Sequence, residues 1–438
     1  MKHIKILSTL IIATILTIYL PIISVFADDE PKIYSEAALL IDANTEKILY
    51  SKCAEERKYP ASTTKILTAV LTIENSNLDD VVTVDYDSIM QVPSGYTVAA
   101  LQVGEQITVK QLLQVLLIHS ANDAANVLAK HVAGSIEDFA NMMNAKLAEI
   151  GCANTHFTNP SGKHDENHYT TAIDMAKLMK YCMKNETFLE LLSSKNCIIP
   201  ATNKYDERVF TNSNEMLIKD TREIASNYYY PYAIAGKTGY TAEAKNCLVS
   251  YASKDDLNLI CVVLGAIRTD DGLSARFVDT KTLFEYGYNN YTLRKVCDFN
   301  SIAKSIEIPN ATRDTKELDL ITTDSIIALI NQKDLEKNLE PEIVLNDNLT
   351  APITQGDTLG KLTYNIEGIE YTTNLVAAHS VEKDNSLFFF IHLILIALIL
   401  FILYKLIFEK NNKFKNNKYN FKIFNKLKNK KHNFKFKK

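Results

Sequence analysis

The sequence predicts an α+β fold: helices laid on a mostly antiparallel sheet, followed by a small all-β, sandwich-like domain and a C-terminal transmembrane helix. Three observations carry this. Before about Tyr291, strand-like runs give way to segments whose apolar residues recur at helical spacing, and strand-like runs then return. Beyond Tyr291 the helical period disappears, and short β-like runs alternate with turn residues. Residues 387–404 form an apolar run in which His392 is the only clearly polar residue. The chain therefore divides into segments 1–27, 33–290, 291–383, 387–408 and 409–438.

In chain order, 37–41 and 47–50 read as two short strands around the turn-forming cluster Asp42-Ala43-Asn44-Thr45. A helix is expected from about Ala61, with Pro60 before it, Ser62 able to cap it, and Ile66, Leu67, Val70 and Leu71 along one face. Further helices are expected at 109–117, 123–132, 138–150 and 172–183, and strands at 234–235, 245–253 and 258–266. A last helix, 277–286, is expected to stop at Gly287. Strands, helices and strands again imply a sheet whose first and last strands are neighbours. In the β module, strands are expected at 304–308, 318–322, 342–345, 358–366 and 369–375.

The chain has 438 residues, 47% apolar and 23% charged, with 13 Gly and 10 Pro, which excludes a disordered, collagen-like or small disulfide-stapled protein. The net charge of −4 hides an asymmetry: residues 28–386 carry 33 basic and 51 acidic side chains, whereas 410–438 carry 12 Lys and no acid. No nucleic-acid partner is expected of so acidic a body. A membrane makes sense of the asymmetry. The N-terminus has a basic start, an apolar middle and a small-residue exit at Val25-Phe26-Ala27, which is the pattern of a cleaved signal peptide over 1–27. At ~1.5 Å per residue, 387–408 reaches ~33 Å, enough to cross a bilayer. The basic tail 409–438 then belongs in the cytoplasm and the body outside the cell, with the cytoplasmic membrane as partner. The seven Cys show no spacing suited to a structural metal, and their pairing is not readable.

Three short motifs concentrate the chemistry. Ser62-Thr63-Thr64-Lys65 puts a hydroxyl and an amine on one face of a helix. The helix N-terminus favours developing negative charge, and an amine kept neutral by burial or a second cation can activate the Ser. Alone the pattern is weak, because it recurs at 301–304 and 380–383. The bland reading makes Ser62 a cap and Lys65 a solvated side chain. Ser120-Ala121-Asn122 offers a hydroxyl to relay a proton and an amide to hold a carbonyl, although 194–196 repeats the pattern. Lys237-Thr238-Gly239 occurs once. Its cation and hydroxyl can hold a carboxylate, and its Gly lets a substrate backbone lie along a strand edge.

Together and in this order, 58 and 117 residues apart, the motifs match the S-x-x-K, S-D-N and K-T-G set of penicillin-binding proteins and class A β-lactamases, with Ala121 in place of Asp. The flanking stretches Tyr59-Pro-Ala-Ser-Thr-Thr-Lys65, His119-Ser-Ala-Asn-Asp-Ala-Ala125, Asn159-Pro-Ser-Gly162 and Gly236-Lys-Thr-Gly-Tyr-Thr241 agree. Over roughly 33–380 the chain resembles the low-molecular-mass penicillin-binding proteins that are D-alanyl-D-alanine carboxypeptidases. The resemblance implies a β-lactamase/transpeptidase-like catalytic domain, peptidoglycan stem pentapeptides as substrate and β-lactams as acylating inhibitors, without metal or cofactor. It makes Ser62 the acylated nucleophile, Lys65 its base and Ser120 a proton shuttle. Asn122 holds the peptide, while Lys237 and Thr238 position the substrate carboxylate beside Gly239. The N–H groups of Ser62 and Tyr240 form the oxyanion hole, and Arg276 is a further carboxylate-binding arginine. The Glu-x-x-Leu-Asn loop of class A β-lactamases is missing, since 166–170 reads Glu-Asn-His-Tyr-Thr, so an acyl-enzyme should persist and Glu166 is expected to be a surface residue. The rival readings are a β-lactamase, a D,D-endopeptidase, or a catalytically silent wall-binding scaffold. The family often ends in an amphipathic helix, unlike the full span expected here.

Overall fold

A computed structural model describes residues 30–219 and 228–431; the expected signal peptide lies outside the described residues. They form two units, one running to Thr292 and including Asn331–Lys333, the other Leu293–Ile330 and the chain from Asp334 onward.

The first unit is built on one antiparallel sheet. The strands β1 (Ala37–Asp42) and β2 (Ile48–Lys52) form a hairpin. Two short hairpins follow, β3 (Val81–Thr83) with β4 (Gln106–Thr108) and β5 (Asn196–Ile199) with β6 (Arg208–Thr211). Then β7 (Ala233–Thr241), β8 (Lys245–Lys254) and β9 (Leu257–Ala266) meander back, giving the order β2-β1-β9-β8-β7. The first and last strands are neighbours as expected: Ala37 lies opposite Leu264 and Asp42 opposite Leu259. Every residue of β1 is buried, which is why it reads as a continuous apolar run. The order leaves β7, with the Lys237-Thr238-Gly239 motif, at the sheet edge. A helical layer contributes Leu67, Leu112, Leu128, Phe139 and Met175 to one apolar core.

Three expectations are corrected. The segment at Ala61 opens as a 3₁₀ turn, Ala61–Thr64, and the α-helix begins only at Lys65 (Lys65–Asn75), so Ser62 caps nothing. The helix expected at 109–117 is α-helical over Val109–Gln114 and continues as a π-turn, Val115–His119, that ends with Ser120 in the left-handed region at φ 68°. Gly287 does not stop the last helix, which runs Ala275–Asn290. A Cβ at 287 would lie 2.7 Å from Leu259 Cδ1 and 3.0 Å from Leu40 Cδ2, so the Gly serves close packing of helix on sheet.

In the second unit β10 (Tyr291–Cys297) pairs with β13 (Ile326–Asn331), and β11 (Ile302–Glu307), β12 (Glu317–Thr322), β14 (Glu342–Leu345), β15 (Thr358–Ile366) and β16 (Ile369–Ala377) form a sheet of order β11-β12-β16-β15-β14. These strands enclose a core of their own that includes Leu318, Leu320, Ala328, Ile330 and Leu375. The strands β10 and β13 were not legible as strands. A helix Ser386–Lys431 follows; its first part, Ser386–Asn411, is long and apolar enough to cross a membrane.

Candidate active site

The turn that opens at Ala61 brings the Ser62 hydroxyl and the Lys65 amine together, with Lys65 Nζ 2.9 Å from Ser62 Oγ. Lys65 is fully buried. Its amine also donates to Asn122 Oδ1 (2.9 Å) and to the Ser161 carbonyl (2.6 Å). The Asn122 amide is oriented by its Nδ2, which donates to the Thr97 carbonyl at 2.8 Å, so Oδ1 must face Lys65. A neutral amine has two N–H donors and one lone pair. The two obligate acceptors take both donors, and the lone pair is left for the Ser62 O–H. Burial, reinforced by the Lys237 cation, holds the Lys65 pKa well below the usual lysine range. Both the geometry and the direction of the shift suit a base.

Opposite stands Lys237 on β7, also fully buried, donating to Ser120 Oγ at 2.9 Å and to the Thr238 carbonyl at 3.0 Å. Burial, then Arg276, pulls its pKa down to about 7. The left-handed backbone of Ser120 costs on the order of 1–3 kcal/mol for a non-Gly residue, and it aims the hydroxyl at Lys237. The Thr238 hydroxyl lies 2.7 Å from Ser213 Oγ. At Gly239, a Cβ would lie 2.9 Å from the Pro60 carbonyl oxygen and 3.0 Å from the Ser62 nitrogen. Only Gly lets the β7 backbone press against the turn carrying Ser62. Arg276, half-buried on the last helix, reaches Gly239 O with Nη1 at 3.3 Å and lies over the Phe277 ring. Tyr240 is 65% exposed at the rim.

These groups face one cleft of about 460 Å³ lined by Ser62, Ser120, Asn122, Thr238, Gly239 and Arg276. A larger hollow of about 540 Å³ adjoins it at Asn122 and Tyr96 but includes neither Ser62 nor Thr238. A half-buried serine hydroxyl, a buried amine whose pKa is pushed down and a strand edge flanked by cations could together support acyl transfer to a hydroxyl from a substrate bearing a carboxylate. Among the described residues no group of His, Cys, Asp and Glu is arranged to hold a metal.

Residues 24–268 match the Peptidase S11 family, D-alanyl-D-alanine carboxypeptidase, and residues 291–383 match the C-terminal domain of penicillin-binding protein 5. The D-alanyl-D-alanine carboxypeptidase DacF of Bacillus subtilis is 32% identical over 393 residues, covering 86% of this chain and 95% of its own. The chain belongs to the D-alanyl-D-alanine carboxypeptidase family. Solved relatives agree: penicillin-binding protein 5 of Haemophilus influenzae superposes with a TM-score of 0.61 at 25% identity, over 81% of this chain and 99% of its own. The penicillin-binding protein 3 of Streptococcus pneumoniae, a peptidoglycan synthesis regulatory factor, gives 0.64 at 26%, over 80% and 100%. The protein is thus a serine-type D,D-carboxypeptidase with a penicillin-binding fold.

In this carboxypeptidase, Ser62, Lys65, Ser120, Asn122, Lys237, Thr238, Gly239, Tyr240 and Arg276 come together around one cleft, although 214 residues of chain separate Ser62 from Arg276. The repeats of the motifs have other surroundings: Ser301 Oγ donates to Asp298 O beside β11, and Ser194 Oγ donates to Glu190 O. Glu166 is exposed and lines a separate hollow with Arg57 and Tyr169. Sequence reasoning missed the Thr97 and Ser161 carbonyls and the Ser213 hydroxyl. The carbonyls have no side-chain signature, and only the Asn159-Pro-Ser-Gly162 stretch hinted at the second. The seven cysteines are unbridged, six of them buried.

Proposed function

We propose that Ser62 is the nucleophile with which this carboxypeptidase removes the terminal D-alanine of a peptidoglycan stem pentapeptide. The neutral Lys65 amine takes the Ser62 proton as Oγ attacks the carbonyl of the penultimate D-alanine. The N–H groups of Ser62 and Tyr240 receive the oxyanion. The proton that Lys65 took passes through the Ser120 hydroxyl to the nitrogen of the departing D-alanine as the C–N bond breaks, which leaves Lys65 neutral again for the attack of water. Water then releases the acyl group from Ser62 and restores the hydroxyl. Lys237, Thr238 and Arg276 hold the terminal carboxylate, and Asn122 holds the peptide. Penicillin would follow the same first step and remain as an acyl-enzyme, because Glu166 is not among the residues lining the cleft. The Ser386–Asn411 helix would span the cytoplasmic membrane, with the lysine tail inside and residues 33–383 at the wall. Division into a catalytic segment 33–290 and a β module 291–383 completes this reading.

The observation that carries it is the 2.9 Å approach of Lys65 Nζ to Ser62 Oγ, with two obligate acceptors placed to occupy both N–H donors of a neutral amine. The test is covalent labelling by a fluorescent penicillin together with D-alanine release from a synthetic pentapeptide. Both are expected of the wild type and neither of Ser62→Ala; a Ser62→Ala protein that still labels and still releases D-alanine would remove the assignment.

A further inference from the structure

Behind the turn carrying Ser62 lies a histidine that does not reach the cleft. His168 is 2% exposed and stacks on Phe157 with ring centroids 4.8 Å apart and planes at 11°. Its Nδ1 accepts from the backbone N–H of Thr158 at 3.0 Å, so Nδ1 carries no proton in the neutral ring and Nε2 does. Burial keeps the ring neutral, drawing its pKa down to about 3. Nε2–H therefore donates to Thr64 Oγ1 at 2.8 Å, and the Thr64 hydroxyl donates onward to the Ala61 carbonyl at 2.9 Å. All three bonds run in one direction, and each donor is used once.

Ala61 has a left-handed backbone at φ 47°, a conformation that needs holding in place. On another side, its carbonyl oxygen lies where a Cβ on Gly162 would be, 1.8 Å away. The Ala61 C=O and the Ser62 N–H belong to one planar trans peptide and point in opposite directions. Whatever fixes the carbonyl aims the N–H.

We infer that His168 is a positioning residue for the acyl-transfer step, acting through Thr64 and the Ala61 carbonyl to aim the Ser62 N–H at the developing oxyanion. The inference rests on the reading of Ser62 as nucleophile and oxyanion donor. Losing one oxyanion-hole donor outright costs about 10²–10³ in kcat, so a donor left in place but poorly aimed should cost roughly tenfold to a hundredfold.

The test uses the full chain in detergent, stopped-flow acylation by a fluorescent penicillin, and the infrared carbonyl stretch of the acyl-enzyme. His168→Phe keeps the stacking and removes the bonds; Thr64→Val removes the hydroxyl and Thr64→Ser retains it. Both His168→Phe and Thr64→Val should slow acylation by that factor while the initial dissociation constant stays within about twofold. Each should also move the carbonyl stretch to higher wavenumber, toward a less hydrogen-bonded carbonyl. The double variant should be no slower than the slower single one, because both act through one chain of bonds, and Thr64→Ser should restore the wild-type rate and frequency. Unchanged acylation and carbonyl frequency in both single variants would overturn the inference, as would a loss confined to the dissociation constant. If His168→Phe does not fold, the Thr64→Val and Thr64→Ser pair decides in the same way. Labelling that persists in Ser62→Ala would instead overturn the underlying reading of Ser62.

Discussion

In the proposed mechanism Lys65 and Lys237 do opposite work under the same physical constraint. Each is fully buried, and burial drives each toward its neutral form. Lys65 is useful when neutral, because its lone pair then faces the Ser62 hydroxyl. Lys237 is useful when charged, because it is to meet a carboxylate. With its pKa drawn down to about 7, Lys237 is a cation below that pH and loses its proton as the pH rises through it. The efficiency of D-alanine release, kcat/KM, should therefore fall as the pH rises past about 7, whereas kcat should fall less, since a bound carboxylate stabilises the cation. Lys237→Arg keeps its charge across this range. It should lower the rate overall but abolish the fall, and a falling limb that persists in Lys237→Arg would show that another group is responsible. The side chains of this pair were legible because three motifs occur in one order at a set spacing; the Ser62-Lys65 spacing alone is weak, since it recurs at 301–304 and 380–383. The carbonyls that organise the site around Lys65, Ser161 O bonded to its amine and Thr97 O bonded to the Asn122 amide, were not legible. Any residue can offer a carbonyl, so nothing in the sequence marks the ones that matter.

Among the elements, reading failed where packing overrode a local rule. Gly287 looked like a helix stop because Gly is the common residue just past a helix end. The helix runs on through it because Leu259 and Leu40 fill the space a side chain would need. The two effects of Gly287→Ala oppose one another. Ala gains about 1 kcal/mol of helix propensity, whereas forcing a methyl into a filled contact costs about 1–3 kcal/mol. The methyl group should dominate, because both contacts are side chains of buried strands. Gly287→Ala is expected to lower the melting temperature by several degrees while the fraction of folded protein that labels with penicillin stays at the wild-type level. An equal or higher melting temperature would mean that the leucines move aside freely. The π-turn at Val115–His119 is a failure of the same kind: 109–117 carries an unbroken apolar period, and the wider turn is needed only to leave Ser120 left-handed against Lys237. By contrast, the pairing of the sheet's first strands with its last was legible, because strands at both ends of a helical stretch have to close on each other.

For the whole molecule, the question is what holds it where its substrate is. No residue in the apolar stretch of the helix Ser386–Asn411 is buried, and Leu387, Phe389 and Leu393 are 74%, 72% and 68% exposed. So large an apolar surface makes this helix a candidate membrane anchor, since a hydrocarbon environment would take it out of water. The tail beyond it, with 12 Lys over 410–438, could instead hold the chain to anionic lipid by charge alone. The two modes differ in their response to salt. Attraction between lysines and headgroups is screened within about 3 Å at 1 M ionic strength, whereas burial of a helix in hydrocarbon is not weakened by salt. The full chain should therefore stay with the membrane through washes at high salt and alkaline pH. A chain ending at residue 385 should be released to the soluble fraction and still label at Ser62, because both the catalytic cleft and the core of the β module are complete without the helix. Replacing the tail lysines with Gln should leave the chain membrane-bound but loosen its orientation, so that added protease no longer reaches every copy of the catalytic unit from outside the cell. Release of the intact chain by salt alone would show that the lysine tail, and not the apolar helix, is the anchor.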